Sequence, residues 1–167
     1  RLGHNLIVIT PLYGVIDLKK NHLKLELVKI PLSNHQQENL GSFKVYKGYL
    51  MPGLPIYFID RPEYFSSQKT IYGSRQNPKR FFYFNCAALA LIKFLKLQPN
   101  IIHCHDWHAG LIPYLIKKND NAAYFKKTKV LFTIHNLSYQ GGQLARQHLD
   151  DGKSALANLD WEKINFM

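Results

Sequence analysis

The chain has 167 residues, 46% of them apolar, and carries 22 Lys and Arg against 11 Asp and Glu, a formal net charge of +11. That length supports one domain with a sizeable core, and two cysteines exclude a disulfide framework. The longest uncharged apolar-rich stretch, Phe81 to Ile92, is too short to span a bilayer, and no signal peptide is visible.

The positive balance favours anionic partners such as nucleotides or phosphorylated substrates. The lysines are scattered, however, and no basic stripe carries interleaved aromatics, which argues against nucleic acid. Cys86 and Cys104 lie in apolar segments and read as buried free thiols, which suits a reducing compartment. The chain opens at Arg1 and closes at Met167 inside an apolar segment. Both ends look cut, so the expectation is a fragment of a longer protein.

In chain order, Asn5–Thr10 reads as a short buried strand followed by a Pro11–Gly14 turn. Residues 22–30 alternate, with Leu23, Leu25 and Leu27 on one face; this predicts a half-exposed strand that Pro31 stops. Ser42–Leu50 alternates again, with Phe43, Val45 and the Lys47 stem on one face. Met51-Pro52-Gly53 is a turn signal, and Leu54–Asp60 is rich in β-branched and aromatic residues. The two strands and their turn predict a hairpin at the margin of a sheet. Glu63–Phe65 suits a helical turn.

Lys79–Leu97 has no Pro or Gly and is apolar nearly all round, so it predicts a helix packed on several sides. Pro99-Asn100 ends it. Ile101–Cys104 then predicts a buried strand, with Asp106 at the N-cap of a helix over Trp107–Lys118. Leu111, Leu115 and Tyr114 face inward, and Lys117 and Lys118 complement the helix dipole. Pro113 requires that helix to start late or kink. Asn119–Lys127 is a polar connector, Lys129–Ile134 a second buried strand, and 135–143 a loop closed by Gly141-Gly142. Asp160–Met167 predicts a last helix. Strand, helix, strand, helix, strand is the pattern of a doubly wound α/β domain.

Two clusters carry the chemistry. One strand ends in His103-Cys104-His105-Asp106-Trp107-His108, and the next in His135-Asn136-Leu137-Ser138-Tyr139-Gln140-Gly141. Ligands of open α/β sheets lie beyond the carboxyl ends of strands, so two such clusters on successive strands point to one shared pocket. His103, His105, Asp106, His108 and His135 offer five potential metal ligands. The order resembles the His-x-His-x-Asp-His run of metallo-β-lactamase-type hydrolases, but Asp106 directly follows the second His and Trp107 fills the slot where that motif has its acid. The plainer reading of His103 is structural, as it is of His4, His22, His35 and His148.

Sugar binding suits the residues better. Asp106, Trp107 and His108 supply a carboxylate, an indole and an imidazole in succession, and His135, Asn136, Tyr139 and Gln140 add further polar and aromatic groups. No second carboxylate lies close in sequence to Asp106, so a two-acid glycosidase site is not supported. Nor is there a Ser-centred nucleophile elbow, a P-loop or a G-x-G-x-x-G.

The segment from His103 to Leu111 resembles the "H-x-H-D-W-H-[AT]-[AG]-L" run of bacterial glycogen synthases and plant starch synthases. Phe132–Gly141 resembles their "FTIHNLAYQG", with Ser138 in place of the usual Ala, and the separation matches. Weaker likenesses at Leu54–Tyr64, Tyr72-Gly73, Lys79–Phe81 and Ile164–Met167 extend the resemblance over most of the chain. It implies one Rossmann-like lobe of a two-lobed GT-B glycosyltransferase, the N-terminal acceptor-side lobe, the second lobe being absent here. The implied reaction transfers glucose from a nucleotide sugar, usually ADP-glucose, to the non-reducing end of an α-1,4-glucan with retention, with no metal or other cofactor. Asp106 and His135 would then lie at the reacting centre. Trp107, His108, Asn136, Tyr139 and Gln140 would bind substrate, with Tyr83 reaching the nucleotide or cleft. The family's Lys-Thr-Gly-Gly-Leu loop is missing from this chain, and so is the lobe that holds the diphosphate. The fragment alone is expected to be inactive. A bacterial cytoplasm or a plastid stroma would suit it, with neither membrane nor nucleic acid as partner. The alternatives are a non-catalytic glucan-binding module and the metallohydrolase. Elemental analysis of protein purified without an affinity tag separates the last: no stoichiometric zinc is expected, and a full equivalent would favour the hydrolase.

Overall fold

The computed structural model describes residues 3–34, 37–71 and 77–138. The chain is α/β and divides into two compact units, one of residues 1–32 and 41–74, the other of 33–40 and 75–167.

The first unit is built on a four-stranded sheet of β1 (Val8–Pro11), β2 (Lys24–Ser33), β3 (Asn39–Met51) and β4 (Leu54–Asp60), in the order β1-β4-β3-β2. β1 runs parallel to β4, and β3 antiparallel to it, so the sheet is mixed. The predicted hairpin exists, but it lies at the centre of this sheet rather than at its margin. Its own strands could pair locally, whereas the short β1, fixed only through tertiary contact, takes the outer place on β4. Pro52 and Gly53 make the turn, Gly53 at φ 80, the Pro-then-Gly order of a type II turn. That turn does not follow the natural twist of a hairpin, and the register shifts by a bulge between Tyr49 and Met51.

Leu12, Ile56 and Phe58 form a buried cluster against which Val8, Ile16, Leu18, Leu23 and Tyr46 pack. Gly48 belongs to this packing, because a Cβ there would meet a Leu23 methyl at 2.5 Å. β2 departs from expectation. It continues through Pro31, and its buried residues are Ile30 and Leu32, while Leu25 is 47% exposed. Pro31 is exposed and β2 is an edge strand, where a missing N–H leaves no ladder bond unmade. β1 begins three residues later than the apolar run suggested. The turn after β4 is helical, with Phe65 N–H donating to the Arg61 carbonyl at 2.9 Å.

Helix α1 (Asn77–Phe94) heads the second unit and buries every residue from Arg80 to Leu89, as its all-round apolarity predicted. It ends in a Schellman motif. Leu97 N–H donates to the Ile92 carbonyl and Lys96 N–H to the Lys93 carbonyl, both at 3.0 Å, with Lys96 rather than glycine at φ 54. β5 (Ile101–His105) and β6 (Lys129–Thr133) form a parallel two-stranded sheet. Both were expected to be buried, yet β5 buries only Cys104, and Ile101 and Leu131 are largely exposed. A sheet of two strands offers little cover to side chains on its outer surfaces.

Between these strands the predicted long helix is split. A 3-10 turn, Trp107–Ala109, precedes α2 (Ile112–Leu115), and α3 (Asn119–Tyr124) follows. Pro113 falls in the first turn of α2, where its missing N–H costs nothing. Leu111, Ile112, Leu115 and Ile116 are buried and Tyr114 half-buried. Because α2 ends at Leu115, Lys117 and Lys118 do not close a long helix. Lys118 instead precedes α3 in extended conformation and lies 4.6 Å from the Tyr114 ring centroid. Burial pushes the thiols of Cys86 and Cys104 up to about 12. No helix is long and apolar enough to cross a membrane among the described residues.

The packing predicts that Leu91→Ala, at a fully buried position, costs about 2–5 kcal/mol. Phe94→Ala, at a position 52% exposed, should cost much less; urea midpoints measure both. Asp60 supplies a pH test. Burial raises its carboxyl above the usual range, while bonds from the Ser66 hydroxyl and amide pull it down. A folded-state pKa above the unfolded one gives stability that is present at low pH and lost as pH rises through the folded value. Asp60→Asn should therefore gain stability relative to the native chain as pH rises above about 4, the ordinary carboxylate value; a difference independent of pH would contradict this.

Candidate active site

The parallel pairing of β5 and β6 sets His105 opposite Thr133, so the two motifs leave adjacent strand ends together. Asp106 N–H donates to the Thr133 carbonyl at 2.9 Å, extending the ladder by one bond. The chain then turns sharply. Asp106 has φ 57 and ψ −180, a region that is essentially glycine's. Its side chain was expected to cap the following helix but makes no capping bond. Instead Oδ1 accepts the backbone N–H of His135 at 2.6 Å. A carboxylate bound by an amide at this distance is a charge-assisted hydrogen bond, and it joins the first motif to the second.

His135 is held a second time, at its ring. Nε2 lies 2.9 Å from Nδ1 of His105, with ring centroids 5.2 Å apart and planes inclined by 23°. On the other side the His103 ring lies 4.1 Å from that of His105, and its Nε2 bonds Thr133 Oγ1 at 2.7 Å. Burial pushes His105 below the ordinary imidazole range, as do the neighbouring His103 and His135, and Asp106 opposes them. No group of three His, Cys, Asp or Glu side chains is arranged to hold a metal ion among the described residues.

Trp107 and His108 face α1. Their rings pack edge-on against Phe81, at 4.9 and 4.6 Å between centroids. Burial lowers the His108 pKa, and Asp106 works against it. Asn85, only 1% exposed, donates from Nδ2 to the Phe81 carbonyl within α1 and to the His108 carbonyl at 2.7 Å. It thus ties the helix to the 3-10 turn. Asn85 and Thr133 were not singled out in the sequence, and His105 was read only as a potential metal ligand. Asn85 carried a signal, being the lone amide in Phe81–Leu91. The others depended on cross-strand register.

Asn136 is exposed, and its Oδ1 accepts the Ser138 N–H at 3.0 Å, an Asx turn that shapes the loop. Tyr83 is 3% exposed within α1, in the packing of the helix rather than at an open surface. Tyr139 and Gln140 lie outside the described residues, as do Tyr72-Gly73, Gly141-Gly142 and the helix expected at 160–167.

A family model described as the starch synthase catalytic domain matches residues 1–167. The chain belongs to that family. It is 32% identical to a glycogen synthase of Geotalea uraniireducens, over 100% of this chain and 36% of that protein. It is 37% identical to one from Desulforamulus reducens, over 83% of this chain and 28% of the relative. Among solved structures it resembles the catalytic domain of starch synthase IV from Arabidopsis thaliana bound to ADP and acarbose, with a TM-score of 0.75 and 26% identity, covering 96% of this chain and 31% of that one. The chain thus spans about a third of the length of these relatives.

The backbone at Asp106 is testable. Strain of this kind is worth about 1–3 kcal/mol, against ~0.4–1 kcal/mol of extra unfolded-state entropy for glycine. Asp106→Gly should therefore be more stable than Asp106→Ala, although both lack the carboxylate; equal urea midpoints would show that the strain there is no larger than the entropic cost of glycine.

Proposed function

We propose that this chain is the N-terminal, acceptor-side lobe of a glycogen or starch synthase. The lobe would be Rossmann-like and doubly wound, one half of a GT-B glycosyltransferase, and would act with a C-terminal lobe. The reaction is transfer of glucose from a nucleotide sugar, ADP-glucose, to the non-reducing end of an α-1,4-glucan with retention. Family membership supports this, as does the relative solved with ADP and acarbose. The observation that carries it is the bond from the His135 amide to the Asp106 carboxylate across the ends of β5 and β6, which gathers a carboxylate, an imidazole and an amide side chain at one edge of a parallel pair.

In this reading Asp106 and His135 stabilise the positive charge that develops at the anomeric carbon. The role is electrostatic, from groups oriented before the substrate arrives. One carboxylate oxygen is committed to the loop, so Asp106 is held rigidly and serves as a fixed charge rather than a nucleophile. Asn136, Tyr139 and Gln140 bind sugar hydroxyls. Trp107 and His108, braced on Phe81, form the sugar-facing wall. Tyr83 belongs to the substrate-binding set by the resemblance alone, since it is buried within α1. A reducing cytoplasm or plastid stroma suits the two buried thiols.

The test is glucose incorporation from ADP-glucose into glycogen by a complete protein carrying this lobe. Asp106→Ala should lower kcat at least 10²-fold, about 2.7 kcal/mol of barrier, and the isolated chain should be inactive. A variant within about threefold of the parent, or a fully active fragment, would overturn the reading.

A further inference from the structure

The ring pair His105–His135 does something that the bond to Asp106 does not: it orients an imidazole. We propose that His105 is a positioning residue that fixes the ring orientation and tautomer of His135, and that the two rings act as one proton-sharing unit. This rests on the reading of His135 given under Proposed function.

The geometry of β5 carries the argument. Cys104 is 2% exposed, so strand alternation turns His103 and His105 together to the opposite face. There the three rings form a ladder, His103 against His105 and His105 against His135. His103 is fastened by its bond to Thr133 Oγ1, on the strand that leads into His135. A nitrogen–nitrogen separation of 2.9 Å holds one proton. Two bare nitrogens repel, and two N–H groups collide. Either His105 donates from Nδ1 and His135 keeps its proton on Nδ1, or His135 donates from Nε2 and His105 keeps its proton on Nε2. The tautomer of one ring dictates that of the other. A single added proton is tolerated, because an imidazolium still donates to a neutral ring. A second protonation removes the acceptor and breaks the contact.

Among the described residues, the charged and titratable groups that act on His105 besides its partner ring are His103 and Asp106. His103 and His135 push the His105 pKa down in concert with burial, and Asp106 pulls it up. The pair therefore resists double protonation near neutrality and loses its contact on the acid side, where the orientation of His135 is lost with it.

Two measurements test this. In the complete enzyme, His105→Ala should lower kcat about tenfold with the KM for ADP-glucose nearly unchanged. His105→Asn, whose amide can meet His135 Nε2 in either tautomer and does not titrate, should restore most of the loss and move the acid limb of the pH profile to lower pH. Full activity of His105→Ala, or equal impairment of the alanine and asparagine variants, overturns the proposal. The second measurement needs no activity. Ring 15N NMR of this chain should show His105 titrating below the ordinary imidazole range and moving up in His135→Ala, where a positive neighbour has gone. Independent titration of the two rings overturns the proposal whatever the kinetics show. Coupled titration together with a fully active His135→Ala enzyme instead removes the catalytic reading of His135, and the positioning role falls with it.

Discussion

The candidate site depends on one bond, from the His135 backbone N–H to the Asp106 carboxylate. Without it, the segments that leave β5 and β6 would be two loops starting side by side and free to diverge. With it, the second loop is pinned to the first residue beyond the strand that precedes it. Asp106 reaches this place because its backbone adopts a conformation that other side chains avoid. The strand ladder makes the arrangement affordable: Asp106 N–H bonds the Thr133 carbonyl, so the strained residue is fixed on both its amide and its side chain. Charge, strain and register meet in a single residue, and each makes sense only in the presence of the others.

Helix α1 supplies the rigidity behind it. Its ten consecutive buried residues leave no solvent-facing stripe, so amphipathic periodicity cannot orient it and packing on several sides must. Asn85 is the polar exception, and its two donated bonds connect the helix to the carbonyl of His108. Phe81 receives the edges of both Trp107 and His108. Donating to two carbonyls offsets the desolvation of the amide nitrogen and specifies one geometry, whereas an apolar contact would permit several. The turn after Asp106 is therefore set by the helix as much as by its own residues.

Local signals in the sequence were strong where the structure is local. The Pro52-Gly53 turn, the alternation of Phe43 and Val45 and the uninterrupted apolar helix all describe interactions between residues near in sequence. They fail where a neighbour strand decides. Leu25 and Leu27 suggested the buried face of β2, but Ile30 and Leu32 took it, while Leu23 packs on the core from just before the strand. Pro31 suggested an end, but an edge position removed the reason to stop. The apolar runs of β5 and β6 promised burial that a two-stranded sheet does not provide.

By itself the sequence determined the family, through two long motifs, and the identity of Asp106, Trp107, His108, His135 and Asn136 as the residues of interest. The resemblance of those motifs to a known family suffices for that, because chemistry is carried by side-chain type. Only the tertiary structure decided what those side chains do to one another. It turned Asp106 from an expected helix cap into a clamp on the next loop, and it drew His105 from a candidate metal ligand into contact with the His135 ring. The reason is that both contacts cross between parallel strands about thirty residues apart. A parallel pair brings such residues together through register, which no run of neighbouring residues encodes.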